Sequence, residues 1–166
     1  MIFAMQTVSS ASSVSTASSV STASSVSTAP SVSTIFSRLH TFYGKQKCFL
    51  SFQNPFQLLV AVILSAQCTD ERVNMVTPVL FQRFQTVQDF AAASQKEMEY
   101  FVHSTGFFRN KARNIRASAK MIVEKFGGRV PDTMEALLTL PGVARKTANV
   151  ILSVIFGRNE GVVVDT

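Results

Sequence analysis

Along most of the chain, apolar residues recur at helical spacing, and polar caps and glycines punctuate them. An amphipathic stretch around Ile35, Phe36 and Leu39 comes first, followed by a loop to Phe52. Asn54-Pro55-Phe56-Gln57 then reads as a helix start: Asn caps, Pro occupies the first turn, and Gln57 can close a capping box. Leu58 to Leu64 is apolar on every side, which predicts a central, buried helix. Its β-branched residues also suit a strand, but the cap and the lack of other strand signals favour helix. Thr69-Asp70 opens the next helix, which Thr77-Pro78 restarts or kinks. Thr86 with Asp89, and Ser94 with Glu97, read as two further capping boxes, and Gly106 stops the second helix. Ala112, Ile115, Ala119, Ile122, Val123 and Phe126 share one face of a long helix that Gly127-Gly128 ends. Lys111, Arg113, Arg116 and Lys120 are expected outside that face. Asp132 with Glu135 caps a short helix over Thr133 to Leu140, and after Pro141-Gly142 a last helix sets Ala144, Thr147, Ala148, Ile151, Leu152 and Ile155 on one face until Gly157 ends it. The pattern predicts an all-α chain of about six or seven helices.

Composition changes this picture at one end. Residues 1–34 hold no Asp, Glu, Lys or Arg and repeat the hexamer Ala11-Ser12-Ser13-Val14-Ser15-Thr16. Such a tract buries too little apolar surface to offset its ordering entropy, so a disordered tail is expected over 1–34 and a helical domain over 35–166. The tail has neither the basic start and apolar core of a secretory signal nor the arginines of a transit peptide. No run of about 18 apolar residues is present, so no membrane partner is expected. Cys48 and Cys68 do not form a metal spacing and read as reduced thiols of a cytoplasmic protein. The formal charge of +6 falls entirely within residues 35–166, which points to a polyanionic partner, most simply nucleic acid.

The candidate chemistry lies in Leu140-Pro141-Gly142-Val143-Ala144-Arg145-Lys146-Thr147-Ala148. Helix, Pro-Gly turn and helix leave unpaired backbone N–H groups at the second helix's start, a site for a phosphate. Small residues at Gly142, Ala144 and Ala148 let a backbone approach, and Arg145 and Lys146 stand where an anion docks. An amine is a useful nucleophile only when part of it is neutral near pH 7. A guanidinium, desolvation and the positive end of a helix all favour the neutral form.

This segment resembles the helix-hairpin-helix signature of the endonuclease III family of DNA glycosylases. The similarity extends through Pro55-Phe56-Gln57-Leu58-Leu59-Val60, Leu64-Ser65-Ala66-Gln67-Cys68-Thr69-Asp70, Thr105-Gly106-Phe107, Asn110-Lys111-Ala112 and Val164-Asp165-Thr166, so it covers about Phe36 to the end. Ala144 stands where the family usually has Gly. The resemblance implies a six-helix barrel domain and a base-excision DNA N-glycosylase with AP-lyase activity on oxidised pyrimidines. It implies Lys146 as the Schiff-base nucleophile and Asp165, led in by Val162-Val163-Val164, as the catalytic carboxylate. Gln67 and Phe107 are then expected to fill the gap left by a flipped nucleotide, and Pro141, Gly142, Val143, Ala144 and Arg145 to hold the DNA backbone. Lys111, Arg113 and Arg116 are candidates for phosphate contacts. The expected partner is double-stranded DNA with damaged or abasic sites, bound by a monomer. The family's [4Fe–4S] cluster would need cysteines after Thr166, so no cofactor is expected in this chain. An end at Thr166 also fits a DNA-binding remnant with little catalysis. The related adenine glycosylases fit less well, because that branch lacks the lysine.

Overall fold

The computed structural model describes residues 30–44, 48–161 and 163. The Ser/Thr tract up to residue 29, and with it most of the stretch expected to be disordered, lies outside the described residues. Within them are eight α-helices and one 3-10 turn, and no strand. The all-α expectation holds, but the six-helix barrel does not: the count is eight, and no closed ring of helices forms. Helical spacing says which face of each helix is buried. It does not say which neighbour that face meets, so ring closure cannot be read from it.

The chain divides into two compact units, the first helix lying in one of them. That helix, α1 (Val32–Tyr43), starts at Ser31, whose hydroxyl accepts from the Thr34 amide at 3.2 Å, and ends at Gly44. It therefore begins three residues inside the stretch read as tail.

The other unit is built round α2 (Pro55–Ser65). Asn54 caps it, accepting from Gln57 N at 2.9 Å, while the Gln57 side chain reaches back to Gln53 N at 2.8 Å. Phe56, Leu58, Leu59, Val60, Ala61, Ile63 and Leu64 are all buried, as an all-round apolar helix requires. α2 packs against α3 (Asp70–Arg83), α6 (Phe108–Phe126) and α8 (Arg145–Phe156). Pro78 lies inside α3 without dividing it. Against α6 also lie α4 (Val87–Ala92) and α5 (Gln95–Val102), so α2 and α6 carry the core between them. At α4 both halves of the capping box form, and the Thr86 backbone amide and hydroxyl hold the Asp89 carboxyl below the usual range. At α5 only Ser94 caps. Glu97 does not reach back, and pairs instead with Arg83 at 2.5 Å. α7 (Met134–Leu138) is capped by Thr133, not Asp132. The Asp132 carboxylate is taken by Arg158, 3.2 Å away, just beyond the end of α8.

Candidate nucleic-acid interface and nucleophile

Leu137, Leu140 and Val143 are buried, and these three anchors hold the α7–α8 connection to the core. Between them Val143 N donates to Leu140 O at 3.1 Å, with Pro141 second and Gly142 third at φ +80°. That is a type II turn, in which Pro supplies φ at the second position and only Gly easily supplies a positive φ at the third. The turn rests on α6. Ser118 Oγ donates to Pro141 O at 2.7 Å, and the Asn114 side chain lies beneath Gly142, where an added Cβ would stand 2.8 Å from Nδ2. Neither Asn114 nor Ser118 figured in the sequence reading. The available signal is a polar residue in each turn of an otherwise apolar stripe.

α8 begins at Ala144, which has no side-chain cap, and its first turn holds no acidic residue. Gly142, Ala144, Arg145 and Lys146 are exposed, Pro141 and Thr147 half-buried, and Ala148 to Leu152 buried. The helix is thus fixed by its second and third turns and presents Arg145 and Lys146 outward at its positive end. Beyond α8, Gly161 passes against Asn149: a Cβ on Gly161 would be 2.8 Å from Asn149 Nδ2. Val163 is buried. Asp165 lies outside the described residues.

Gln67 and Phe107 form a second group. Gln67 follows α2, and Phe107 precedes α6 after the 3-10 turn His103–Thr105 and Gly106. They are the two non-glycine residues of positive φ among those described, at 54° and 46°, and both are exposed. Their loops run close to one another: a Cβ on Gly106 would lie 3.9 Å from Gln67 O.

Lys111 departs from expectation. It is not on the outer face of α6 but 4% exposed, with Nζ donating to Leu64 O at 2.8 Å and to Thr105 O at 2.6 Å. Position 111 shares a helical face with Ile115 and Ser118, so the general habit of lysines to face water misplaces it. Its ammonium is spent inside the protein and does not meet an external phosphate. Arg116 is likewise engaged, with Ala93 O at 2.6 Å and Gln95 Oε1 at 3.1 Å, and Arg113 pairs with Asn110 Oδ1 at 2.8 Å.

A [4Fe–4S] cluster takes four thiolates, and the sequence has two cysteines, so the residues present do not fit that group. Among the described residues, no set of three or more His, Cys, Asp or Glu can hold a metal ion. No helix among them is long and apolar enough to cross a membrane.

The uncapped helix start behind a Pro-Gly hairpin defines a helix-hairpin-helix protein, and comparison bears this out. Residues 60–166 match the family described as HhH-GPD superfamily base excision DNA repair protein. The chain belongs to this superfamily of base excision DNA repair proteins. It is 59% identical over 128 residues to endonuclease III of Synechocystis sp., covering 77% of this chain and 58% of that protein. To endonuclease III of Bacillus subtilis it is 51% identical over 111 residues, 67% of this chain and 51% of the other. Two solved structures, a non-covalent endonuclease III–DNA complex and a trapped endonuclease III–DNA covalent intermediate, each match with a TM-score of 0.73 at 44% identity, over 76% of this chain and 59% of theirs. The chain thus spans between half and three fifths of the length of these relatives.

Proposed function

We propose that this chain is a base-excision DNA N-glycosylase with AP-lyase activity, acting on oxidised pyrimidines in double-stranded DNA through Lys146. The observation that carries the reading is an exposed lysine in the first turn of an uncapped helix, directly behind a type II hairpin braced on α6. The hairpin's backbone N–H groups can hold a phosphate while Arg145 supplies a positive charge beside it. A nucleotide flipped from the stack then brings its C1′ to the Lys146 amine. The Lys146 nitrogen bonds to C1′, the bond to the base breaks, and the base leaves. The sugar ring opens as the imine forms, which permits strand scission by β-elimination. The similar endonuclease III trapped as a covalent intermediate with DNA supports this route.

Asp165 is proposed as the carboxylate that moves protons at this centre. Gly161 lies against Asn149, one helical turn from Lys146, a rise of about 4.5 Å. Four further residues of chain can span up to about 13 Å, a length that supports assigning this role to Asp165. Gln67 and Phe107 are proposed to occupy the space a flipped nucleotide leaves, in a monomer working on DNA in the cytoplasm. Phe107 suits this, since the residue is 71% exposed at the head of α6.

Two experiments test the reading. Borohydride added to the chain with abasic duplex should yield a reduced covalent adduct. Absence of any adduct would leave a DNA-binding remnant or an adenine glycosylase relative. Affinity for duplex should also fall linearly in log–log form as salt rises, with a slope of about −0.9 per phosphate neutralised. A flat response would mean that the basic charge serves solubility alone.

A further inference from the structure

A buried ammonium is costly unless it is paired, and Lys111 has no carboxylate within ion-pair distance among the described residues. Its partners are two neutral carbonyls. Burial pushes its pKa down, the direction expected of a cation held in apolar surroundings. Methionine would fill much the same space without that cost, so what the ammonium does in this position has to lie in the two atoms it holds.

Both carbonyls are strategic. Leu64 O belongs to the last turn of α2, which has no basic residue of its own there, and lies three residues before Gln67. Thr105 O ends the 3-10 turn two residues before Phe107. One amine therefore ties together the two loops that carry the only non-glycine positive-φ residues described. Such conformations are strained and persist only where their surroundings over-determine them. Phe107 gets no help from a side-chain cap at the start of α6, and Gln67 follows directly on the C-cap of α2. The two loops also run close together, since a Cβ on Gly106 would lie 3.9 Å from Gln67 O.

The placement along α6 adds a second constraint. Lys111, Asn114 and Ser118 lie at helical spacing on one stripe, the first holding the Gln67 and Phe107 loops, the other two supporting the hairpin. A rigid helix thus sets the distance between the insertion residues and the turn ahead of Lys146.

We infer that Lys111 is a positioning residue: by holding the Leu64 and Thr105 carbonyls it sets Gln67 and Phe107 as one paired insertion element, at a fixed offset from the hairpin. This deepens, and rests on, the reading of the chain as a DNA glycosylase. Lys111 touches no DNA and acts through the two loops.

The test compares affinity for duplex bearing a tetrahydrofuran abasic analogue with affinity for the same duplex intact, in the 166-residue chain. Lys111→Met should lower this discrimination about tenfold, the size of coupling expected between residues in one network, while affinity for intact duplex changes by no more than about twofold. Lys111→Gln, whose amide can still donate to one carbonyl, should recover part of the loss, and it serves in place of Lys111→Met if that variant does not fold. In a Gln67→Ala/Phe107→Ala background the Lys111 substitution should leave discrimination unchanged, because the groups it positions are gone. Full additivity in that background, equal loss on both duplexes, or undiminished discrimination would overturn the inference. If the parent chain itself does not discriminate, the glycosylase reading fails and the inference with it. That outcome is separable, because it involves no change at Lys111.

Discussion

Lys146→Ala should lose reducible covalent trapping on abasic DNA by more than about a thousandfold, the scale on which a removed nucleophile acts. Binding to the same duplex should change little. The side chain is exposed at the start of α8, and the phosphate contacts proposed for the hairpin rest on backbone N–H groups and Arg145, which the variant keeps. Its removal leaves the buried second and third turns of α8 intact, so the melting temperature should hold. Trapping by gel and binding by fluorescence anisotropy separate the two effects. Undiminished trapping by the variant would move the nucleophile elsewhere.

Gly142→Val is expected to act on the fold as well as on binding. The backbone there has φ +80°, a region a β-branched residue enters only with strain. A Cβ at this position would also lie 2.8 Å from Asn114 Nδ2, 2.9 Å from its Cβ and 3.1 Å from its Cγ. Only the first of these is a side-chain end that can swing aside. Strain and overpacking together should cost about 2–4 kcal/mol, a fall in melting temperature on the order of 10 °C for a domain of this size. Duplex affinity should fall too, because the turn proposed to carry the phosphate donors moves. Replacing Asn114 by Ala alongside Gly142→Ala should relieve only the contacts with Nδ2 and Cγ, since Ala keeps a Cβ at that position, and should leave the conformational part. Unchanged melting and unchanged affinity would mean that the hairpin is a simple connection.

Local signals in the sequence were reliable where one residue decides the outcome. Asn54, Thr69, Thr86 and Ser94 cap the helices they were expected to cap, because a side-chain oxygen two or three residues from a free N–H needs no tertiary help. The burial of α2 was equally legible, since a helix apolar on every side has to be central. At Asp132-Thr133 two adjacent residues can both cap, and Arg158, from the far end of α8, takes the aspartate and leaves the cap to Thr133. The eight-helix arrangement without a closed barrel was not legible either, because it depends on which apolar faces meet. Lys111 was misplaced for a related reason: the carbonyls that hold it belong to loops distant in sequence. Within the site, the hairpin was visible from Pro141 and Gly142. Its support by Asn114 and Ser118 was not, as polar residues on a buried stripe announce a partner without naming it.

The most direct measurement is to map the trapped amine. The 166-residue chain is incubated with abasic duplex and borohydride, digested, and the nucleotide-bearing peptide sequenced by mass spectrometry. The account predicts a single adduct on Lys146. No adduct, or an adduct on any other amine of the chain, would contradict it.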